Sequence, residues 1–198
     1  TATTRRTIQL PIDDGVVGLR GLSPQRHRFE LEYALERGST ANSVLFEAGD
    51  GAPAVLVHPP GVAYSPAFLP VLAEALPSSN APLLVVVGHV NPNRVALLRD
   101  LAEAYAGLEL IVSNPGAKLI EELWSQRKPA PPGETSEQPP LPDLPPLRVI
   151  RQEQTLPLSH QRSLMLLPAP TPRWPGGLLA FEESLGLLMS DKFFSAHL

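Results

Sequence analysis

Leu83-Leu84-Val85-Val86-Val87-Gly88-His89-Val90-Asn91-Pro92-Asn93-Arg94-Val95-Ala96-Leu97 is the most informative run of the chain. Its opening residues, Leu83–Val87, are uninterrupted aliphatics, the pattern of a strand buried on both faces. The strand runs out at Gly88, which leaves His89 at a carboxyl end, where α/β folds collect ligand-binding and catalytic groups. Asn91 then suits a helix N-cap and Pro92 the first helical position. Asn93 and Arg94 fall in the first turn. The helix dipole disfavours a cation there, whereas first-turn amides beside an arginine would suit an anion. Arg94 reaching into solvent is the other reading this spacing allows.

Outward from that run, Thr7–Ile12, Val16–Leu22 and Arg28–Tyr33 read as strands, the first two separated by the turn signal Asp13-Asp14-Gly15. Ser43–Glu47 and Ala54–His58 form a pair across Gly49-Asp50-Gly51, and Ala67–Leu76 has helical spacing of its apolar positions. Downstream, the pattern predicts a helix over Pro92–Tyr105, a strand over Leu108–Val112 and a helix over Pro115–Gln126. Residues 129–146, PAPPGETSEQPPLPDLPP, hold eight prolines in eighteen positions, too many for a regular hydrogen-bonded element. An extended, exposed polyproline-like surface insertion is expected, in preference to a docking segment for an SH3-like partner. Strands at Leu147–Arg151, Ser163–Leu167, Leu178–Glu182 and Gly186–Met189 complete the chain. Strand pairs, then strand–helix alternation, then strands again predict an α/β sandwich with helices outside two sheets. An α+β arrangement around a single sheet is the alternative.

Composition narrows the function classes. A chain of 198 residues fits one domain, here 1–198, and its net charge of −4 with scattered Lys and Arg gives no footprint for nucleic acid. No apolar run reaches the roughly 18 residues of a membrane span, and the arginines near Thr7 have no apolar stretch behind them, so no signal peptide is expected. The absence of cysteine excludes disulfides, thiolate metal sites and a Cys nucleophile. No P-loop, G-x-G-x-x-G or nucleophile elbow is present, so Ser39 and Ser159 are not read as nucleophiles. His58 ends a strand and reads as a hydrogen-bonded histidine at the edge of the same pocket. His27, His160 and His197 read as surface residues, and Trp124 and Trp174 as packing residues, with Trp174 flanking the pocket.

Several segments together resemble the flavodiiron family. His89-Val90-Asn91-Pro92-Asn93-Arg94 is similar to that family's H-x-E-x-D-H motif at the same strand-to-helix junction. Arg37-Gly38-Ser39-Thr40-Ala41-Asn42 resembles its R-G-T-T-Y-N segment, Pro170-Thr171-Pro172-Arg173-Trp174-Pro175 its P-x-x-H-W-P, and Leu188–Phe194 the strand end that supplies a bridging aspartate. The segments occur in the family's order over nearly the whole chain and resemble most the A-type members of cyanobacteria and plants. The resemblance implies a metallo-β-lactamase-like αββα sandwich, with two mixed sheets and helices outside. It also implies that the chain is incomplete at its C-terminal end and lacks the flavodoxin-like and flavin-reductase domains.

Carried over residue by residue, the resemblance leaves His89 and Asp191 as groups of ligand chemistry. Asn91 and Asn93 stand where the family has carboxylates, and Arg94 and Arg173 where it has histidines; a guanidinium offers a metal no lone pair. With Lys192 beside Asp191, added positive charge would also repel iron. No metal is therefore expected, and no cofactor bound by this domain. Arg94, Arg173 and Lys192 are expected to pair with Asp191 or to hold a bound anion such as chloride, sulfate or phosphate.

In the full-length family, FMN, a second flavin (FAD or FMN) and NAD(P)H would be used to reduce oxygen to water, as a photosynthetic electron sink. Partners expected by resemblance are other flavodiiron subunits, in a head-to-tail homo- or hetero-oligomer. The expected location is the cyanobacterial cytosol near thylakoids, or the stroma of a chloroplast. The alternative is a non-catalytic anion-binding scaffold or regulatory subunit working with an active partner. A zinc hydrolase on the same fold would need an H-x-H-x-D-H cluster, which His89–Arg94 does not supply.

Overall fold

The computed structural model describes residues 5–29, 32–33, 35–76, 82–126 and 140–193. The chain opens with β1 (Arg6–Asp13), β2 (Val16–Ser23), the short strands β3 (Arg28–Phe29) and β4 (Glu32–Tyr33), then β5 (Ser39–Phe46) and β6 (Ala54–Val57). A 3-10 turn at Val62–Tyr64 leads into α1 (Ser65–Ala75), followed by β7 (Leu83–Val87), α2 (Pro92–Ala104), β8 (Leu108–Ser113) and α3 (Asn114–Trp124). The last part holds β9 (Leu147–Ile150), β10 (Gln154–Pro157), β11 (Ser163–Pro168), β12 (Leu178–Glu182) and β13 (Leu187–Met189).

Two main sheets result, as the α/β reading expects. The larger runs β1-β2-β5-β6-β7-β8-β9. Its first half is antiparallel and its second, from β6 to β9, parallel, because helical crossovers supply the returns there. The smaller, β10-β11-β12-β13, is antiparallel throughout rather than mixed, since each of its strands is joined to the next by a turn too short for a crossover.

Alternation along the central strands builds two cores. Leu83, Val85 and Val87 point with Leu56 and Leu110 toward the helices, where they meet Phe68, Leu72, Leu97, Leu101 and Ile120. Leu84, Val86, Val57 and Ile111 point the other way, against Leu164, Leu166, Leu178 and Met189 of the smaller sheet. Helices, mixed sheet and antiparallel sheet therefore stack as layers. The smaller sheet's outer face carries Met165, Phe181 and Leu188 in one cross-strand row and Leu167 and Leu179 in another, with no helix over it among the described residues.

The segment Arg28–Tyr33 departs from expectation. Instead of one continuous strand it forms β3 and β4, paired with each other in register Arg28↔Tyr33 and Phe29↔Glu32. Both sides of the preceding strand β2 are taken, by β1 and, from Val16 to Ser23, by β5. Strand β10 was not expected at all; only Leu156 of its four residues is buried, so the period-2 signal is missing.

Of the proline-rich run, residues 129–139 lie outside the described residues, and 140–146 are not the freely exposed loop expected. Trp124 Nε1 donates to Pro142 O at 2.9 Å, Leu110 N donates to Pro146 O, and Pro145 is buried. Arg99 braces the same corner by donating to Leu123 O and Trp124 O while its guanidinium lies 5.8 Å from the Trp124 ring centre. A Trp124→Phe variant, which keeps the ring and removes the donor, is expected to lose about 1–2 kcal/mol in urea unfolding. An unchanged midpoint would mean that the Pro142 contact contributes nothing.

Candidate functional site

The carboxyl ends of β6 and β7, the start of β5 and the end of β13 meet at one side of the sandwich. His58 caps β6 there in the left-handed region, at φ 56°, and is 4% exposed. Gly88 N–H donates to its Nδ1 at 3.1 Å, which places the ring proton on Nε2, 3.1 Å from Met189 O. Ser43 Oγ donates to the His58 carbonyl at 2.9 Å. One imidazole thus ties β5, β6, β7 and β13 together. Burial pushes it below the ordinary histidine range, against the pull of the Asp191 charge, so it stays neutral. Gly88 is required by that ring: a Cβ there would stand 2.5 Å from His58 Cε1 and 2.7 Å from Leu178 O.

Asn91 caps α2 as expected, its Oδ1 accepting from Arg94 N at 2.9 Å. The Arg94 side chain does not reach solvent. It turns back over the helix start, donates from one terminal nitrogen to His89 O (2.9 Å) and Asp191 Oδ2 (2.5 Å), and from the other to Asp191 Oδ1 (3.1 Å). The pair is bidentate, with side chains 9% and 10% exposed. Asp191 itself sits in the left-handed region, at φ 51°. Burial alone would raise its carboxyl; the Arg94 charge overrides that, Lys192 adds to it, and the carboxyl is held well below the usual carboxylate range.

The other expected residues divide. Asn91, Asn93, Arg94, Asp191 and Lys192 line one cleft of about 530 Å³. His89 contributes its carbonyl to Arg94 and turns its ring edge-on to Trp174 at 6.5 Å, and Trp174 in turn packs against Phe193 at 5.5 Å. Arg173 does not join the cleft lining. A tight turn, in which Thr171 N donates to Trp174 O and Trp174 N to Thr171 Oγ1, carries Arg173 outward, and its guanidinium lies exposed 5.6 Å from the Trp174 ring centre. Arg26, Thr40, Asn42, Tyr64 and Leu188 also line the cleft and were not expected there. The R-G-S-T-A-N segment gave a signal for Thr40 and Asn42 and the Leu188–Phe194 segment for Leu188; nothing did for Arg26 and Tyr64. Among the described residues no three His, Asp or Glu side chains converge.

The chain is 35% identical over 197 residues to the diflavin flavoprotein A 6 of Nostoc sp., covering 99% of this chain and 31% of that protein. It superposes with a TM-score of 0.81 on the crystal structure of a 1–254 fragment of diflavin flavoprotein A 5 from Nostoc sp., at 30% identity over 99% of this chain and 69% of the fragment. The chain belongs to the flavodiiron family. A metal-soaked flavodiiron core from Synechocystis sp. gives the same TM-score of 0.81 at 31% identity, covering 98% of this chain and 44% of that one. The stacked sheets are accordingly the metallo-β-lactamase-like core of flavodiiron proteins, as the sequence implied. No family model matches the chain. The chain spans about a third, 31%, of the length of these curated flavodiiron relatives.

Proposed function

We propose that this flavodiiron chain is the core domain of an oxygen-reducing flavodiiron oxidoreductase in which an internal ion pair takes the place of the iron pair. The bidentate contact of Arg94 with Asp191 carries the reading: the one carboxylate that lines the cleft among the described residues is already saturated by a guanidinium. Nearby donors do not fit two irons. Asn91 spends its side-chain oxygen on Arg94 N, the His58 nitrogens are engaged by Gly88 and Met189, and the His89 ring packs against Trp174.

In the whole protein, FMN in a flavodoxin-like domain and a second flavin-reductase domain would supply two-electron flavin chemistry from a reduced nicotinamide. This domain's share is then assembly: a head-to-tail homo- or hetero-oligomer in which its own subunit's flavin serves a partner with a competent site. The proposed setting is the cyanobacterial cytosol, or a plastid stroma; the relatives are from cyanobacteria such as Nostoc sp.. The second reading is a scaffold or regulatory subunit that holds an inorganic anion near Lys192. What favours it is the lining, in which Arg26, Lys192, Asn91 and Asn93 bring N–H donors to one cleft.

Metal analysis of the purified full-length protein tests the main reading. Iron far below one per chain is expected, unchanged after reconstitution with Fe²⁺ under argon. Stoichiometric iron would overturn it and make His58 and His89 the first ligands to re-examine.

A further inference from the structure

Two turns of this chain carry the same dipeptide, Asp14-Gly15 between β1 and β2 and Asp50-Gly51 between β5 and β6; the sequence holds no other Asp-Gly and no Asn-Gly. An aspartate before glycine is prone to close on the next peptide nitrogen, because no side chain shields that nitrogen. The fold treats the two turns differently. One loop, residues 159–162 between β10 and β11, meets both of them at the opposite end of β5 and β6 from the cleft.

At Asp50 the closure is hindered. Its Oδ2 accepts from His160 N at 3.0 Å, which draws the carboxylate toward the smaller sheet, and Ser159 Oγ fastens the same loop to Glu47 O at 2.6 Å. The Asp14 carboxylate has no such donor among the described residues. Its side chain is 88% exposed, and His160 Nδ1 stands 3.7 Å from it, beyond hydrogen-bond reach. Among the described residues Gly15 N donates to no acceptor, so the attacking nitrogen is unengaged. Position 15 must also be glycine: its φ is 68°, and a Cβ there would stand 2.7 Å from His160 Nε2. A larger residue, which would slow the closure, does not fit.

We infer that Asp14 is a site of spontaneous backbone modification, converting to isoaspartate through a succinimide, and that the His160 contact spares Asp50. Gly15 N bonds to Asp14 Cγ, and the displaced carboxyl oxygen leaves as water, carrying the Gly15 amide proton and one proton taken from solvent. Water then opens the ring. Attack at the main-chain carbonyl leaves the chain running through the Asp14 side chain, and attack at the Cγ carbonyl restores aspartate. No oxidant, reductant or cofactor enters, and the mass is unchanged at the end. The isoaspartyl product adds a methylene to the β1–β2 turn, next to the point where Arg162 Nη2 donates to Asp13 Oδ2 at 2.7 Å. That clamp between the two sheets is thereby loosened.

The test ages the full-length protein at 37 °C and pH 7.4 and maps its peptides by electron-transfer fragmentation, which separates aspartyl from isoaspartyl linkages. Folded protein is expected to gain at least fivefold more isoaspartate at Asp14 than at Asp50. Unfolded in guanidinium chloride, the two sites should convert within about twofold of each other, because both precede glycine. Ser159→Ala combined with Arg162→Ala, which frees the β10–β11 turn, should raise conversion at Asp50 several-fold in protein whose circular dichroism is native. Equal conversion at both sites of the folded protein, or no gain at Asp14 over its starting level, would overturn the inference. The same preference for Asp14 in guanidinium chloride also overturns it, since the difference would then belong to neighbouring residues and not to the fold. Unchanged conversion at Asp50 in the natively folded double variant overturns the protective part assigned to His160.

Discussion

Replacing Arg94 with methionine is expected to lower the free energy of unfolding by about 3–5 kcal/mol at neutral pH, the largest single-residue effect at this site. The loss comes less from the missing contact than from the Asp191 carboxylate left buried without a counter-charge. A second substitution separates the two: Arg94→Met combined with Asp191→Leu should recover most of the loss, because a close-packed apolar pair has no charge to strand. pH provides an independent signature. In the native protein the folded Asp191 carboxyl lies well below its unfolded value, so its contribution is fully present above about pH 4 and is lost as pH falls below that and through the folded value. Without Arg94, burial dominates and raises the folded carboxyl above the unfolded one. The variant's deficit should then shrink on acidification from pH 7 to pH 4. Urea unfolding at the two pH values measures this; a deficit below about 1 kcal/mol, or one independent of pH, would show that the pair does not anchor the cleft.

The second large effect is expected at His58. Asparagine tolerates the left-handed backbone that His58 adopts, but its side chain is too short to reach both Gly88 N–H and Met189 O. His58→Asn should therefore cost about 2–4 kcal/mol through an unpaired buried group and a small void. The native histidine also imposes a pH slope. Its folded value is pushed below the unfolded one of about 6.5, so the unfolded chain takes up a proton first and stability declines as pH drops below that point, by up to about 1.4 kcal/mol per unit. The variant should lack this slope between pH 6.5 and 5. A variant that keeps it would assign the proton uptake elsewhere.

Much of this site could be read from a few local patterns. The aliphatic run Leu83–Val87 gave the central strand to the residue, and the Asn91-Pro92 pair gave the start of α2, because burial on both faces and helix capping are local rules. Asp191 and Lys192 at a strand end were equally legible through the family resemblance. The direction of Arg94 was not. Spacing places it in a first helical turn, but only the arrival of β13, with Asp191 in a left-handed conformation, decides that the guanidinium folds inward. Arg173 shows the converse: its neighbourhood was right, yet the Thr171–Trp174 turn sends the side chain out. Arg26 and Tyr64 carry no motif and enter the cleft through tertiary placement alone. The Gly88 requirement likewise depends on His58, thirty positions earlier, and on Leu178.

The bonds that close the site are also among the most distant along the chain: His58 to Met189 spans 131 positions and Arg94 to Asp191 spans 97. Hairpins such as β1–β2 need only a turn, whereas these contacts must wait for β13 to be made and returned across the sheet. On a ribosome the cleft cannot exist until β13 has emerged. The cleft is expected to close late in refolding, so lesions at Arg94 or His58 should accelerate unfolding while leaving the folding rate nearly unchanged; a slowed folding rate would place its closure earlier. The cleft's persistence would then be a kinetic property of β13.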